Sequence, residues 1–243
     1  MQRFTGKTVV VTGAASGIGL GIAERFSSEG ANVVMADQHQ DKLEAAAARL
    51  PGERTLALKV DVADAPEMER LVAAAVERFG ALDVMCNNAG IATEGDAVEL
   101  SLDDWNKTIA TDLSGVFHGC RAALPELLKT RGCIVNTASV SGLGADWRMT
   151  AYNAAKGGVV NLTRAIALDF GARGVRANAV CPSLTRTGMT EDMIGDEALL
   201  AKFRERMPLG RVASPPTSPR SSPSWPATTP ASSTAPTCRW TAG

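Results

Sequence analysis

The chain has 243 residues, 45% hydrophobic and 21% charged, with a formal net charge of −1. That length suits one domain with a sizeable core, and the balance is that of a globular protein. Near-neutral charge argues against nucleic acid or an anionic membrane surface as partner. No apolar run reaches the ~18 residues of a membrane span.

The N-terminus passes from MQRFTGK straight into a strand pattern, with no apolar signal segment, so a cytoplasmic protein is expected. Five cysteines occur without CxxC spacing. Cys86, Cys120, Cys133 and Cys181 sit in apolar or helical stretches and read as buried, inert thiols. His39 and His118 have no partner cluster, so no metal site is expected.

In chain order, apolar runs appear at 8–12, 32–36, 55–60, 82–86, 133–138 and 175–180. Most are continuous and β-branched rather than alternating, as in parallel strands buried on both faces. Between them lie helical patterns such as GIGLGIAERFSSEG and DAPEMERLVAAAVERFG, each ending near a glycine. Asp103 and Asp104 open a further helix running through Trp105 to about Lys129, and another spans roughly Ala151 to Ala172. The repeating order predicts an α/β fold: a doubly wound parallel sheet with helices on both faces, Rossmann-like.

Thr12-Gly13-Ala14-Ala15-Ser16-Gly17-Ile18-Gly19 follows the first strand and opens the first helix. Glycines there permit a tight turn and close approach to a pyrophosphate, and the helix N-terminus offers free N–H groups. Asp37 ends the second strand, where an acid can take both ribose hydroxyls and repel an extra phosphate. No Arg or Lys offsets it, so NAD is expected rather than NADP. Asp61, with Val62, follows the third strand. It is placed to receive an adenine amino group or to cap the next helix.

Tyr152 and Lys156 are four apart and share one helix face. An ammonium beside a phenol stabilises the phenolate, so the pair suits proton transfer to or from an alcohol oxygen. Ser139, at the end of the fifth strand, can donate to the same oxygen. Tyr152 is the chain's one tyrosine.

Together TGAASGIG at 12–19, NNAG at 87–90, Ser139 and Tyr152-Asn153-Ala154-Ala155-Lys156 resemble the short-chain dehydrogenase/reductase family. The likeness covers residues 1 to about 215. It implies an NAD-dependent enzyme acting on CH–OH groups of a small-molecule alcohol or ketone, with no nucleic-acid or membrane partner. It also implies a homodimer or homotetramer built on the two long helices. By this resemblance Asn88, Ala89 and Gly90 hold the cofactor side of the crevice, and Lys156 reaches the nicotinamide ribose. Asp112 stands where the family usually has an asparagine in the proton relay, bringing a charge near Lys156. Pro182-Ser183 replaces the usual Pro-Gly, while Leu184, Thr185 and Thr187 suit contacts to the nicotinamide amide and phosphates.

Residues 1–215 therefore form a single catalytic domain, with a substrate lid at about 183–210. CIVNTASVSGLGADW, AAKGGVVNLTRAIALD and VCPSLTRTGMT look most like bacterial acetoin reductases (meso-2,3-butanediol dehydrogenases). Trp147 and Met149 are candidates for a small pocket wall. Reduction of 3-oxoacyl thioesters, sugar oxidation, or a catalytically silent NAD-binding sensor are the alternatives.

The end of the chain breaks the pattern. Seven of the twelve prolines fall between Ser214 and Thr237, and no acidic residue follows Glu205. Such a stretch cannot make a helix or a central strand. The helix, seventh strand and Val-Asp-Gly-Gly turn usual in the family are not legible. Read one frame over, codons for residues from Pro216 onward permit DVAAVVAFLASDDA and then GANLPVDGG. Trp240 followed by Thr241 forces an aspartate codon at that last turn. Residues 216–243 are thus read as an aberrant tail from a frame slip, leaving the sheet without its last edge strand.

Overall fold

The computed structural model describes residues 2–207, 211–214 and, for the backbone, 239–241. Seven parallel strands form one sheet: β1 (Thr8–Thr12), β2 (Asn32–Asp37), β3 (Thr55–Lys59), β4 (Val84–Asn87), β5 (Cys133–Thr137), β6 (Arg176–Pro182) and β7 (Arg239–Thr241). Their spatial order is β3-β2-β1-β4-β5-β6-β7. The chain reverses its direction of travel between β1 and β4, and a crevice opens outside the C-terminal ends of strands at such a switch point.

All five residues of β1 are buried, which explains its unbroken β-branched run. Side chains alternate across the sheet. Val10 packs into one apolar layer with Met68, Leu127, Ile134 and Val159. Val9 and Val11 join Val33, Met35 and Leu43 in the other. Each such valine contributes about 1.5–3 kcal/mol by leaving water.

The first layer is carried by α3 (Ala65–Phe79), α5 (Gly115–Thr130) and α6 (Thr150–Gly171), the second by α1 (Gly17–Ser28) and α2 (Gln40–Ala47). Local signals set their ends. Asp64 caps α3 by accepting from Glu67 N at 2.9 Å, and Gly80 closes it in the left-handed conformation at φ 85°. The cap is therefore Asp64 rather than Asp61. Asp61 accepts instead from Ala63 N at 2.9 Å, a turn two residues long.

The helix expected from 103 to 129 is one rod with an inserted π turn. Ser101 caps α4 (Leu102–Ile109), residues Ala110–Ser114 widen to π geometry, and α5 continues. A π turn shifts the helix face by a fraction of a turn and is common at functional sites. Here it carries Asp112. Beyond β6 lie α7 (Glu191–Gly195) and α8 (Glu197–Glu205), the latter docked through Leu200 and Phe203.

The last edge differs from expectation. Arg239–Thr241 pairs in parallel with Val180–Pro182, although the sequence offers no strand pattern there. The free edge of β6 presents unpaired N–H and C=O groups, and these accept any extended backbone whatever its side chains. The rest of the proline-rich tail lies outside the described residues. Among the described residues, no helix is long and apolar enough to cross a membrane.

Candidate active site

One cleft of about 540 Å³ opens at the switch point. It gathers every candidate site residue except Gly19, which packs behind the loop against Gly13, and Trp147, which lies outside it.

At one end the loop after β1 lies against the NNAG segment. Gly13 has φ 64°, and a Cβ there would sit 2.8 Å from the Ala89 Cα. Only glycine permits that contact in that conformation. Thr12 Oγ1 accepts from Asn88 N at 3.0 Å and Ala89 N at 3.1 Å. Asn88 Nδ2 donates to Thr12 O at 3.2 Å, and its Oδ1 accepts from Thr137 Oγ1 at 3.2 Å. Asn88 thus ties the ends of β1, β4 and β5 together. Ser16 stands at the N-cap of α1 without a side-chain capping bond, so the first-turn N–H groups keep their positive end toward the cleft. Asp37 Oδ2 accepts from Ala15 N at 3.2 Å, and Oδ1 accepts from His39 N at 3.0 Å. The His39 ring lies 3.1 Å from that same oxygen. The carboxylate is fixed at the rim by both segments.

The middle of the cleft holds a buried charge pair. Lys156 and Asp112 side chains are 3% and 0% exposed, with Nζ 3.1 Å from Oδ2. Nζ also donates to Thr137 O at 3.1 Å, and Asp112 Oδ1 accepts from Ile91 N at 2.8 Å. Oδ2 lies close to the ammonium without hydrogen-bond alignment. Its interaction with Lys156 is therefore mainly one of charge. Gly90 makes the room: a Cβ there would come 2.9 Å from Asp112 Oδ2. Burial pushes the Asp112 carboxyl above its ordinary value, with Lys156 opposing. For Lys156 burial works against the charge, but Asp112 and then Tyr152 overcome it, and the ammonium is held above the usual lysine value. The Tyr152 ring centroid is 5.5 Å from Nζ.

The other end carries Ser139. Its Oγ accepts from Ser141 N at 3.1 Å and donates to Ser141 Oγ at 2.9 Å. Ser141 Oγ donates in turn to Asp146 Oδ2, and Arg206 pairs with Asp146 Oδ1 at 2.8 Å. Ser141 and Asp146 lie in the stretch CIVNTASVSGLGADW without being singled out as site residues, and Arg206, 60 residues from its partner, lay in no motif. Met149 lines the cleft. Trp147, expected beside it, is 56% exposed and braces α8 from outside, edge-on to Phe203 at 6.4 Å. Pro182, Leu184, Thr185 and Thr187 form the wall after β6. Thr185 O accepts from Thr190 Oγ1 at 2.6 Å, which fixes that wall to the following turn.

Cys86, Cys120 and Cys181 are buried, and Cys133 is half-buried. Burial raises Cys120 to about 12 and raises Cys133, which leaves both as unreactive thiols. Among the described residues, no group of three or more His, Cys, Asp or Glu side chains could hold a metal.

The parallel order and the cleft at its switch point define a dinucleotide-binding α/β protein. The family profile described as enoyl-(acyl carrier protein) reductase matches residues 13–217. The chain is 50% identical over 214 residues to meso-2,3-butanediol dehydrogenase of Serratia marcescens, covering 88% of this chain and 84% of that one. It is 40% identical over 220 residues to trans-4-hydroxycyclohexanecarboxylate dehydrogenase of Sinomonas cyclohexanicum, covering 87% and 82%. A solved short-chain dehydrogenase/reductase (glucose/ribitol dehydrogenase) from Brucella melitensis matches with TM-score 0.83 and 37% identity, covering 88% and 86%. The chain belongs to the short-chain dehydrogenase/reductase family. It is an oxidoreductase acting on CH–OH groups with a nicotinamide cofactor.

Proposed function

We propose that this protein interconverts a small secondary alcohol and its ketone with NAD(H), acetoin and 2,3-butanediol being the preferred pair. The observation that carries this reading is the buried Lys156–Asp112 pair beside Tyr152, in a chain half identical to a butanediol dehydrogenase.

The cradle fits a dinucleotide. Gly13 lets the loop after β1 pack against Ala89 where a Cβ would clash, and the free N-terminus of α1 at Ser16, Gly17 and Ile18 suits a pyrophosphate. Asp37, already held at the rim, suits ribose hydroxyls and opposes a phosphate there, which supports NAD over NADP. Asp61 and Val62 would flank the adenine. Asn88, Ala89, Gly90, Pro182, Leu184, Thr185 and Thr187 would border the nicotinamide end.

A bound nicotinamide supplies or accepts the hydride. Tyr152 gives its phenolic proton to the ketone oxygen in reduction and takes the alcohol proton in oxidation. Lys156 stabilises the negative charge that this leaves on the phenol oxygen. Asp112 keeps Lys156 charged in its buried position. Ser139 donates to the substrate oxygen and lowers the cost of its developing charge, an effect worth about 10²–10³ in rate at comparable sites. The segment at about 183–210, of which 208–210 lie outside the described residues, is read as a lid that α7 and α8 bring over the substrate end. We infer a homodimer or homotetramer in the cytoplasm, supported by exposed Leu102, Trp105, Phe117 and Leu168 on α4, α5 and α6. Residues from about 216 are read as a frame-shifted terminus, and the family match ends at residue 217. The intact mass of protein from its native source tests that reading.

The enzymatic test is loss of NADH or NADPH absorbance with acetoin, diacetyl or a 3-oxoacyl thioester, and gain of that absorbance with glucose and the oxidised cofactor. Fastest turnover with acetoin or diacetyl and NADH is expected. A preference for the thioester or glucose overturns the substrate assignment. Tight NADH binding with no turnover of any compound overturns the enzyme reading in favour of a sensor.

A further inference from the structure

Three segments meet at the substrate end of the cleft: the loop after β5, the start of α6 and the residue following α8. Asp146 is their hub, with its side chain 11% exposed. Asn153 on α6 fixes its backbone from both sides, accepting from Asp146 N at 3.2 Å and donating to Asp146 O at 2.9 Å. Arg206 binds one carboxylate oxygen at 2.8 Å and donates to Ala145 O at 3.0 Å. Its guanidinium lies 5.2 Å from the Trp147 ring centroid.

Counting protons along this chain gives it a direction. A carboxylate only accepts, so the hydroxyl of Ser141 must donate to Asp146. Ser141 has one hydroxyl proton, and its oxygen then accepts from Ser139 at 2.9 Å. Ser139 also has one proton, and in this arrangement it is given to Ser141 Oγ. For Ser139 to donate to a substrate oxygen, its hydroxyl must turn away from Ser141 Oγ. Ser141 keeps its own proton on Asp146, and that bond polarises the Ser141 oxygen and strengthens its hold on the Ser139 proton. No proton changes owner. What opposes the turn is therefore the grip of Asp146 on the Ser141 hydroxyl. Hydrogen bonds to an ionised acceptor are roughly twice as strong as neutral ones. A guanidinium on the far oxygen draws charge away and weakens that grip.

We propose that Arg206 is a positioning residue that acts through Asp146 and Ser141 to release the Ser139 hydroxyl toward the substrate. Because Arg206 directly follows α8, docking of that helix and the donor direction of Ser139 are coupled. The proposal rests on Ser139 as the donor to the substrate oxygen.

A double-mutant cycle tests it. Native protein, Arg206→Met, Ser141→Ala and the double variant are compared for kcat and KM with the best ketone of the panel, and for NADH affinity by fluorescence. Arg206→Met keeps the stem over Trp147 and removes the charge. It is expected to lower kcat about tenfold with NADH affinity unchanged. Arg206→Lys restores most of that loss. With Ser141→Ala in place, Asp146 has no hydroxyl through which to hold Ser139, so adding Arg206→Met costs less than about twofold. An equal loss in both backgrounds, no loss in either, or a fall in NADH affinity that tracks kcat overturns the proposal. Ser139→Ala separates this from the underlying reading. If that variant keeps native kcat, the donor role of Ser139 is wrong. If it is crippled while the cycle is additive, only the relay is wrong.

Discussion

Two ion pairs stand in the same cleft and are built in opposite ways. Lys156–Asp112 is 3.1 Å apart with side chains 3% and 0% exposed, whereas Arg206–Asp146 is closer at 2.8 Å but 44% and 11% exposed. Distance alone ranks them wrongly. Water screens the closer pair, and exposed pairs contribute about 0.2–1 kcal/mol. Neither member of the buried pair reaches water, so each depends on the other to remain charged. The buried pair thus sets what the site is, and the rim pair adjusts how one hydroxyl within it points.

Substitutions at each pair test that contrast. Asp112→Ala, which strands a buried ammonium, is expected to destabilise the fold by about 3–5 kcal/mol in urea titration. A cost under ~1 kcal/mol would mean water reaches Lys156. Next is Gly13→Ala, which forces a Cβ toward Ala89 in a left-handed conformation. About 1–3 kcal/mol of stability should be lost, with weaker NADH binding by calorimetry; unchanged binding would remove the cradle from the cofactor site. Asp112→Asn is milder, because it keeps a hydrogen-bonding group and removes only the charge. Lys156 is held above its ordinary value, so in the native protein its charge persists through neutral pH and is lost only as pH rises past the usual lysine range. Without Asp112, burial lowers it. The alkaline limb of kcat/KM should therefore move to lower pH, and an unmoved limb would separate Asp112 from the charge on Lys156. Smallest is the effect of Arg206→Met on folding, expected within about 1 kcal/mol in thermal melts.

The same contrast explains what the sequence could disclose. Continuous β-branched runs and glycine-marked turns revealed the parallel sheet, because burial on both faces writes itself locally into each strand. The turn at Gly13, the rim acid Asp37 and the Tyr152/Lys156 spacing were legible for the same reason: each lies within a few residues of its partners or at the end of a recognisable strand. Ser141, Asp146 and Arg206 were silent, since a polar loop residue becomes informative only when a distant segment meets it. The π turn at Ala110–Ser114 left no mark either. No proline or glycine interrupts ATDLS, and the widening shows only in the backbone that brings Asp112 to Lys156. The pairing of Arg239–Thr241 with β6 was illegible because backbone groups carry it.

The proposed chemistry turns on Tyr152, set beside Lys156, giving its phenolic proton to the ketone oxygen in an NADH-linked reduction. It is tested most directly by comparing native protein and Tyr152→Phe for acetoin-dependent NADH oxidation and for NADH binding. Turnover by the native protein, a loss of about 10²–10⁴-fold in the variant, and equal NADH affinity in both are expected. Near-native turnover by Tyr152→Phe would contradict it.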